Sequence, residues 1–246
     1  MQQAKEFCLL HGLPLLQKKD DKYALQILLH DDIIELYDSQ LNTGITIDFV
    51  NGALAHRQQF GGGRGQAIAK AIGIKPGITP SILDTTAGLA GDAFVLACLG
   101  CPITMLERSP ILSLLIENAI ERAELNDSFQ EISAQGFIIK NCDANDYITE
   151  QLLSGDEEQR PDVIYIDPMY PERKKSALVK KDMQILQRLH VIQENNDELL
   201  KNALQFARKR VVVKRPINAN TLTERSPNTH IKSKKTRYDI YAIAKM

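Results

Sequence analysis

The chain has 246 residues, of which 43% are hydrophobic and 25% charged, and its formal net charge is −1. That length supplies one sizeable core, or one core with an appendage, and the near-neutral balance excludes a surface coated all round with positive charge. No apolar run reaches the roughly eighteen residues of a membrane span, and "MQQAKEFCLLHGLPLL" lacks the basic head of a signal peptide, so a cytoplasmic protein without a membrane partner is expected.

Residues 1–80 read as a small β-rich appendage with a connecting helix. "YALQILLHDDIIELYD" and "GITIDFV" are short β-branched runs bounded by Asp, Asn and Gly, which predicts a meander of strands. In "QQFGGGRGQAIAKAIG" glycines precede a helical pattern but lack the lysine–hydroxyl pair of a phosphate loop. The segment reads as a joint entering a helix, with Arg64 placed to touch a backbone phosphate.

From residue 81 to 246 strands and helices alternate. "SILDTT" predicts a strand ending at Asp84, "GDAFVLACLG" a helix and "PITMLE" a second strand. Ser109 and Pro110 fit the N-cap and first position of a helix over "ILSLLIENAIERAEL". "FIIKN" and "DVIYID" predict the third and fourth strands, helices follow over about 176–190 and 197–208, and "RVVVKR" and "TRYDIYAIAK" close the chain as strands. This order implies an α/β fold, a Rossmann-like parallel sheet with helices on both faces, whose ligands bind at the carboxyl ends of the strands.

Those ends carry the chemistry. After Asp84, Gly88 and Gly91 allow close backbone approach to a ligand at a helix start, although the spacing is not the GxGxxG of a dinucleotide site. Glu107 ends the second strand, where a carboxylate accepts from ribose hydroxyls or pairs with Arg108. Asp143 ends the third, as an acceptor for an adenine amine or as an Asx turn. Asp167 ends the fourth, before Pro168, which cannot continue a ladder. Cys98 and Cys101 form a CxxC, but neither Cys8 nor Cys142 adds a second close pair, so buried thiols are expected and no metal.

The series "DTTAGLAG", "MLER", "NCDA" and "IDPMYP" resembles the sheet-rim motifs of Rossmann-like methyltransferases that use S-adenosylmethionine, and "DPMY" resembles the Asp/Asn-Pro-Pro-aromatic motif of enzymes that methylate exocyclic amines. "LDTTAGLAGDAFVLACLGC" and "DPMYPERKKSALVKKDMQ" resemble more closely the ribosomal RNA small subunit methyltransferase J family, which methylates the N2 amine of a guanine in 16S rRNA. The resemblance implies cofactor contacts at Gly91, Asp92, Glu107, Arg108, Asp143, Ala144 and Asp167. Ala90-Gly91 departs from the Gly-Arg expected after Gly88-Leu89, and Met169 stands for the second proline of the broader motif.

Guanine N2 is a poor nucleophile because its lone pair is delocalised into the ring. Acceptors at Asp167 and the Pro168 carbonyl would hold its two hydrogens, and Tyr170 would stack on the extruded base. Arg173, Lys174, Lys175, Lys180 and Lys181 follow directly and suit phosphates of 16S rRNA or the small ribosomal subunit. Two further basic groups lie at Arg208–Arg215 and Lys232–Arg237. An amine methyltransferase acting on another nucleic acid or on protein, and a non-catalytic RNA-binding assembly factor, are the competing readings.

Overall fold

The computed structural model describes residues 2–51, 63–168, 181–189 and 195–246. By internal packing the chain divides into a smaller unit, Met1–Ile47 with Lys174–Val191, and a larger one, Asp48–Arg173 with Ile192–Met246. No helix among the described residues is long and apolar enough to cross a membrane.

The smaller unit begins with helix α1 (Gln2–Leu10), followed by strands β1 (Leu25–His30), β2 (Ile33–Asp38) and β3 (Thr43–Ile45). The strands form an antiparallel meander, β1-β2-β3, as the two β-branched runs predict. Asp38, fully buried, ends β2 by accepting the backbone N–H groups of Gln40 and Leu41, both at 2.9 Å.

The larger unit continues with α2 (Ala67–Ile72), β4 (Ile82–Asp84), α3 (Gly91–Ala97), β5 (Ile103–Glu107), α4 (Pro110–Ala123) and α5 (Asp127–Ala134). Then come β6 (Phe137–Asn141), α6 (Ala144–Ser154) and β7 (Val163–Ile166). Helix α7 (Lys181–Leu189) returns to the smaller unit, where the Arg188 guanidinium meets Asp38 at 2.8 Å. Helix α8 (Asn196–Phe206) and strands β8 (Arg210–Pro216), β9 (Thr229–Lys232) and β10 (Thr236–Ala242) complete the chain.

The large sheet has the order β6-β5-β4-β7-β8-β10-β9. Its first five strands are parallel, and β10 and β9 pair antiparallel. The expected parallel sheet is therefore mixed, because β10 returns beside β8 instead of crossing over through a helix. Ser109 caps α4, Asn126 caps α5 and Asp143 caps α6 by accepting free backbone N–H groups, whereas α2 and α3 open without a side-chain cap.

One face of the sheet packs Leu83, Leu106, Ile164, Ile166, Val211 and Val213 against Ile148 of α6 and Leu199, Leu200, Ala203 and Phe206 of α8. The other face carries an aromatic group. Phe49, only 2% exposed, has its ring centroid 4.9 Å from Phe94, 5.4 Å from Phe137 and 5.8 Å from Phe129. It ties the segment entering this unit to α3, α5 and β6. Phe49→Ala should therefore cost about 3–5 kcal/mol of stability, measured by urea unfolding; a loss below about 1 kcal/mol would show that the ring is not a core element.

Candidate active site

Side chains alternate across a strand, so a shared parity brings distant residues to one face. The parallel register pairs Asp84 with Met105 and with Tyr165, and Tyr165 with Val212. Glu107 lies two residues beyond Met105, and Lys214 two beyond Val212, so Asp84, Glu107, Tyr165 and Lys214 share the face opposite the α6–α8 layer. All stand at or near the carboxyl ends of their strands. Asp167 follows directly on β7 at the same rim.

The loop after β4 is held to both neighbouring strands. Thr85 donates through its N–H and its hydroxyl to the Tyr165 carbonyl, each at 3.0 Å, and Ala87 N–H donates to the Leu106 carbonyl at 3.1 Å. Glu107 braces the next turn, accepting Gly88 N–H on Oε2 at 3.0 Å and Ser109 N–H on Oε1 at 2.8 Å. Gly88 has φ +57°, and Ala90, the N-cap of α3, has φ +56°. The glycine adopts this left-handed conformation freely, while the alanine is held there at a cost of about 1–2 kcal/mol.

Beneath this loop lies a linked set of ionisable groups. Lys214 Nζ donates to Asp92 Oδ2 at 2.8 Å and to Asp167 Oδ2 at 2.7 Å. The Tyr165 hydroxyl donates to the same Asp92 oxygen at 2.8 Å. The Thr86 hydroxyl accepts the Asp167 N–H at 2.7 Å and lies 3.4 Å from Asp84 Oδ1, which also accepts Thr86 N–H at 3.0 Å. Lys214 and Thr86 thus join the ends of β4, β7 and β8 to the first turn of α3.

The electrostatics follow from burial. Desolvation pushes the Asp84 carboxyl from the ordinary carboxylate range up to about 7; the Thr86 N–H opposes this, and the charges on Asp167 and Asp92 add to it. Asp167 is raised as well, mainly by desolvation although 36% of its side chain is exposed, with the Lys214 charge pulling it back. Desolvation works against the Lys214 ammonium, and Asp92 and Asp167 overcome it and keep the group protonated. Burial, with the nearby Asp92 charge, puts the Tyr165 phenol well above its usual range.

The other expected site residues are placed as follows. Gly91 opens α3 and Asp92 lies in its first turn, engaged by Lys214 and Tyr165. Asp143 caps α6, its Oδ1 accepting Asn145 N–H at 2.8 Å, which is the Asx-type role, and Ala144 begins that helix. Arg108 is half-buried next to Glu107, and Pro168 is buried. Arg64 is exposed, close enough to Cys101 for its charge to oppose the burial that pushes that thiol up to about 12. Cys101 precedes β5, so Arg64 sits toward the amino end of that strand rather than with the carboxylates. Tyr170, Arg173, Lys174, Lys175 and Lys180 lie outside the described residues, and Lys181 is placed by its backbone alone, at the start of α7. Among the described residues no group of three or more His, Cys, Asp or Glu side chains could hold a metal, and all four cysteines are free thiols.

Two participants carry no motif. Lys214 reads in sequence as part of a basic group and Thr86 as a loop residue; the contacts that define them span 122 and 81 residues. The parity of "RVVVKR" is the one sequence signal for Lys214, since it places the lysine in phase with Val212.

A family model described as "Putative SAM-dependent methyltransferase" matches residues 9–243. A ribosomal RNA small subunit methyltransferase J from Shewanella amazonensis is 45% identical over 229 residues, covering 92% of this chain and 90% of that protein. One of the same description from Saccharophagus degradans is 42% identical over 253 residues, covering 99% and 93%. The crystal structure of a SAM-dependent methyltransferase from Neisseria gonorrhoeae superposes with a TM-score of 0.76 at 28% identity, covering 98% of this chain and 92% of that one.

The sheet order, the carboxylate rim and these matches define a Rossmann-like, S-adenosylmethionine-dependent methyltransferase. The carboxylates suit that cofactor, which offers a sulfonium and an ammonium as cations and ribose hydroxyls and an adenine amine as donors. More particularly, the chain belongs to the ribosomal RNA small subunit methyltransferase J family.

Lys214→Met would keep much of the side chain's length and leave Asp92 and Asp167 without their shared counter-charge. The Asp167 carboxyl, already raised by desolvation, would lose the Lys214 charge that pulls it back and titrate higher still in the folded protein. The folded state would hold the extra proton, and stability relative to wild type would fall as pH rises through the carboxyl range. Urea unfolding should show a loss of about 1–3 kcal/mol at pH 8 that shrinks at pH 5. An equal loss at both pH values would assign Lys214 a packing role instead.

Proposed function

We propose that the protein methylates the exocyclic N2 amine of a guanine in 16S rRNA, in the cytoplasm, using S-adenosylmethionine. The observation that carries this reading is a pair of open acceptors at the end of β7. Lys214 holds Asp167 Oδ2 at 2.7 Å, while neither Asp167 Oδ1 nor the Pro168 carbonyl accepts a hydrogen bond from the described residues. Two adjacent acceptors match the two hydrogens of a primary aromatic amine.

The bound cofactor supplies an electrophilic methyl group on a sulfonium. On this reading Gly88, Gly91, Glu107, Arg108, Asp143 and Ala144 form its binding wall, with Asp84 and Asp167 set against its positive charge. Glu107 holds the loop by two N–H groups and each oxygen keeps a further lone pair for a ribose hydroxyl. Asp167 Oδ1 and the Pro168 carbonyl bind the amine hydrogens and favour a pyramidal nitrogen with its lone pair aimed at the methyl carbon. The alkylated nitrogen must then shed a proton, and Asp167 Oδ1 stands beside it as the acceptor. Lys214 contributes by keeping that carboxylate ionised and fixing its rotation. Tyr170 follows in sequence as the stacking partner of the extruded base.

Two experiments test this reading. Asp167→Ala should lose at least roughly a hundredfold in turnover, and Asp167→Asn, which keeps one acceptor oxygen, should lose less. Radiolabelled methyl transfer to naked 16S rRNA and to 30S particles at saturating cofactor, followed by mapping of the modified nucleotide, measures both substrate and rate. An alanine variant that turns over near the wild-type rate would refute the amine-positioning role.

The second experiment uses protons. A cation beside Asp84 favours its ionised form, so cofactor binding should lower a carboxyl that titrates at about 7 in the free protein. Binding near pH 6.5 should therefore release protons, and affinity should increase as pH rises from 6 to 8. Titration calorimetry in buffers of different ionisation enthalpy reads the release, and Asp84→Asn should remove Asp84's share of it. The same release in that variant would place the cofactor's charge away from Asp84.

A further inference from the structure

Beyond the cofactor rim, the last two strands carry a basic element that the methyl-transfer chemistry does not use. Strand β10 runs antiparallel to β8 with Thr236 opposite Pro216, and β9 returns with Lys232 opposite Arg237. The β9–β10 turn therefore lies at the carboxyl rim of the parallel strands, the rim that carries Asp167. Three strand spacings separate β7 from β9, a lateral distance of roughly 14 Å.

The pairing sets Arg215, Arg237 and Lys232 side by side across β8, β10 and β9, on the sheet face opposite Lys214. Like charges directly opposite one another destabilise a sheet. One acid relieves part of that cost: Asp239 holds Arg237 at 2.6 and 2.9 Å. The turn adds Lys234 and Lys235 to the row. Lys232, Lys234 and Lys235 are exposed, and none has an acidic partner among the described residues. No Asp or Glu occurs between Ser226 and Arg237.

The turn itself is held in place. Ser233 donates through N–H and hydroxyl to the Thr236 carbonyl at 2.7 and 3.1 Å, and Ile217 N–H donates to the Lys235 carbonyl at 3.0 Å. A lysine on an edge strand can serve only to discourage strand addition, which accounts for Lys232. It does not account for two more in a braced turn, where no strand edge is open.

We propose that the β9–β10 turn is an RNA-docking element, in which Lys232, Lys234 and Lys235 hold backbone phosphates a short distance along the strand from the nucleotide at Asp167. The inference rests on the rRNA-methyltransferase reading of the same rim and adds a phosphate-binding surface separate from the Arg173–Lys181 group expected from sequence. Arg215 is buried and Arg237 is held by Asp239, so a polyanion would meet the exposed Lys232, Lys234 and Lys235 and offset the positive charge that the sheet register gathers beside them. Phosphate contacts of this kind set position and affinity without reading sequence.

The test uses the full chain with naked 16S rRNA and with 30S particles. Binding is measured over a range of salt concentrations for wild type, for K232A/K234A/K235A, for the charge-preserving triple arginine variant, and for K75A/K245A, exposed lysines toward the opposite rim. Each phosphate contact with single-stranded RNA contributes a slope of about −0.7 in log K against log salt. The alanine triple should therefore flatten the slope by about 2 units and weaken binding at least about tenfold. The arginine triple should restore both, K75A/K245A should stay near wild type, and cofactor affinity should not change in any of them. An alanine triple with the wild-type slope and wild-type methylation overturns the docking role alone, and self-association of that variant with an unchanged slope assigns the lysines to edge protection. A wild-type protein that neither binds nor methylates rRNA overturns the functional reading and the docking role with it.

Discussion

The site depends on one ammonium group. Asp92, Asp167 and Tyr165 are brought together at the end of a sheet whose strand β7 is entirely buried, and the two carboxylates would repel each other without Lys214 between them. At a separation of 4 Å a pair of unit charges interacts by about 4 kcal/mol in a protein-like medium, enough to decide whether both acids stay ionised. By bonding to one oxygen of each, Lys214 fixes α3 against β7 and β8 and leaves the second Asp167 oxygen without a partner among the described residues. The same bridge that makes the acids tolerable therefore fixes which Asp167 oxygen would be offered to an amine on the proposed reading.

Much of this architecture was legible in the chain, and for physical reasons. The strands β4, β5, β7 and β8 are short apolar runs followed by charged residues, and a run of that length bounded by turn signals reads as a buried strand delivering its charge to a rim. Ser109-Pro110 announces α4 in the same direct way, through a side-chain acceptor and a preset φ. The antiparallel end of the sheet was less readable. In "THIK" only Ile231 is even partly buried, so β9 lacks the alternation that marks a strand. Helix α6 hides similarly, with Ile148 its one fully buried side chain.

The site residues divide along the same line. The place of Asp84, Glu107 and Asp167 at the rim was legible because a carboxylate at a strand end is conspicuous. Lys214 was not, because its meaning lies in partners 122 and 47 residues away and its neighbours Lys209, Arg210 and Arg215 give it the look of a solvated group. Thr86 escaped for the opposite reason: a threonine in a loop is ordinary, and only the fold shows its hydroxyl between Asp84 and Asp167. Local pattern locates the charges, whereas the balance among them is a property of the sheet order.

That division also bears on the strained turn after β4. Ala90 is held in the left-handed region where glycine would be free, and no side chain caps the helix it opens. The cost is offset by bonds from both flanking strands: Thr85 to β7, Ala87 to β5, and Gly88 to the Glu107 carboxylate. A loop so tied has little freedom to adapt when a ligand arrives, so its backbone is already set before binding. On the proposed reading, Glu107 links this rigidity to recognition. Its two oxygens hold the turns after β4 and β5 at once, and any hydroxyl it accepts must meet a carboxylate whose orientation those two turns have fixed. The rim at β4 and β5 is thus shaped by backbone hydrogen bonds, while at β7 and β8 it is shaped by charge, with Thr86 and Lys214 joining the strand ends.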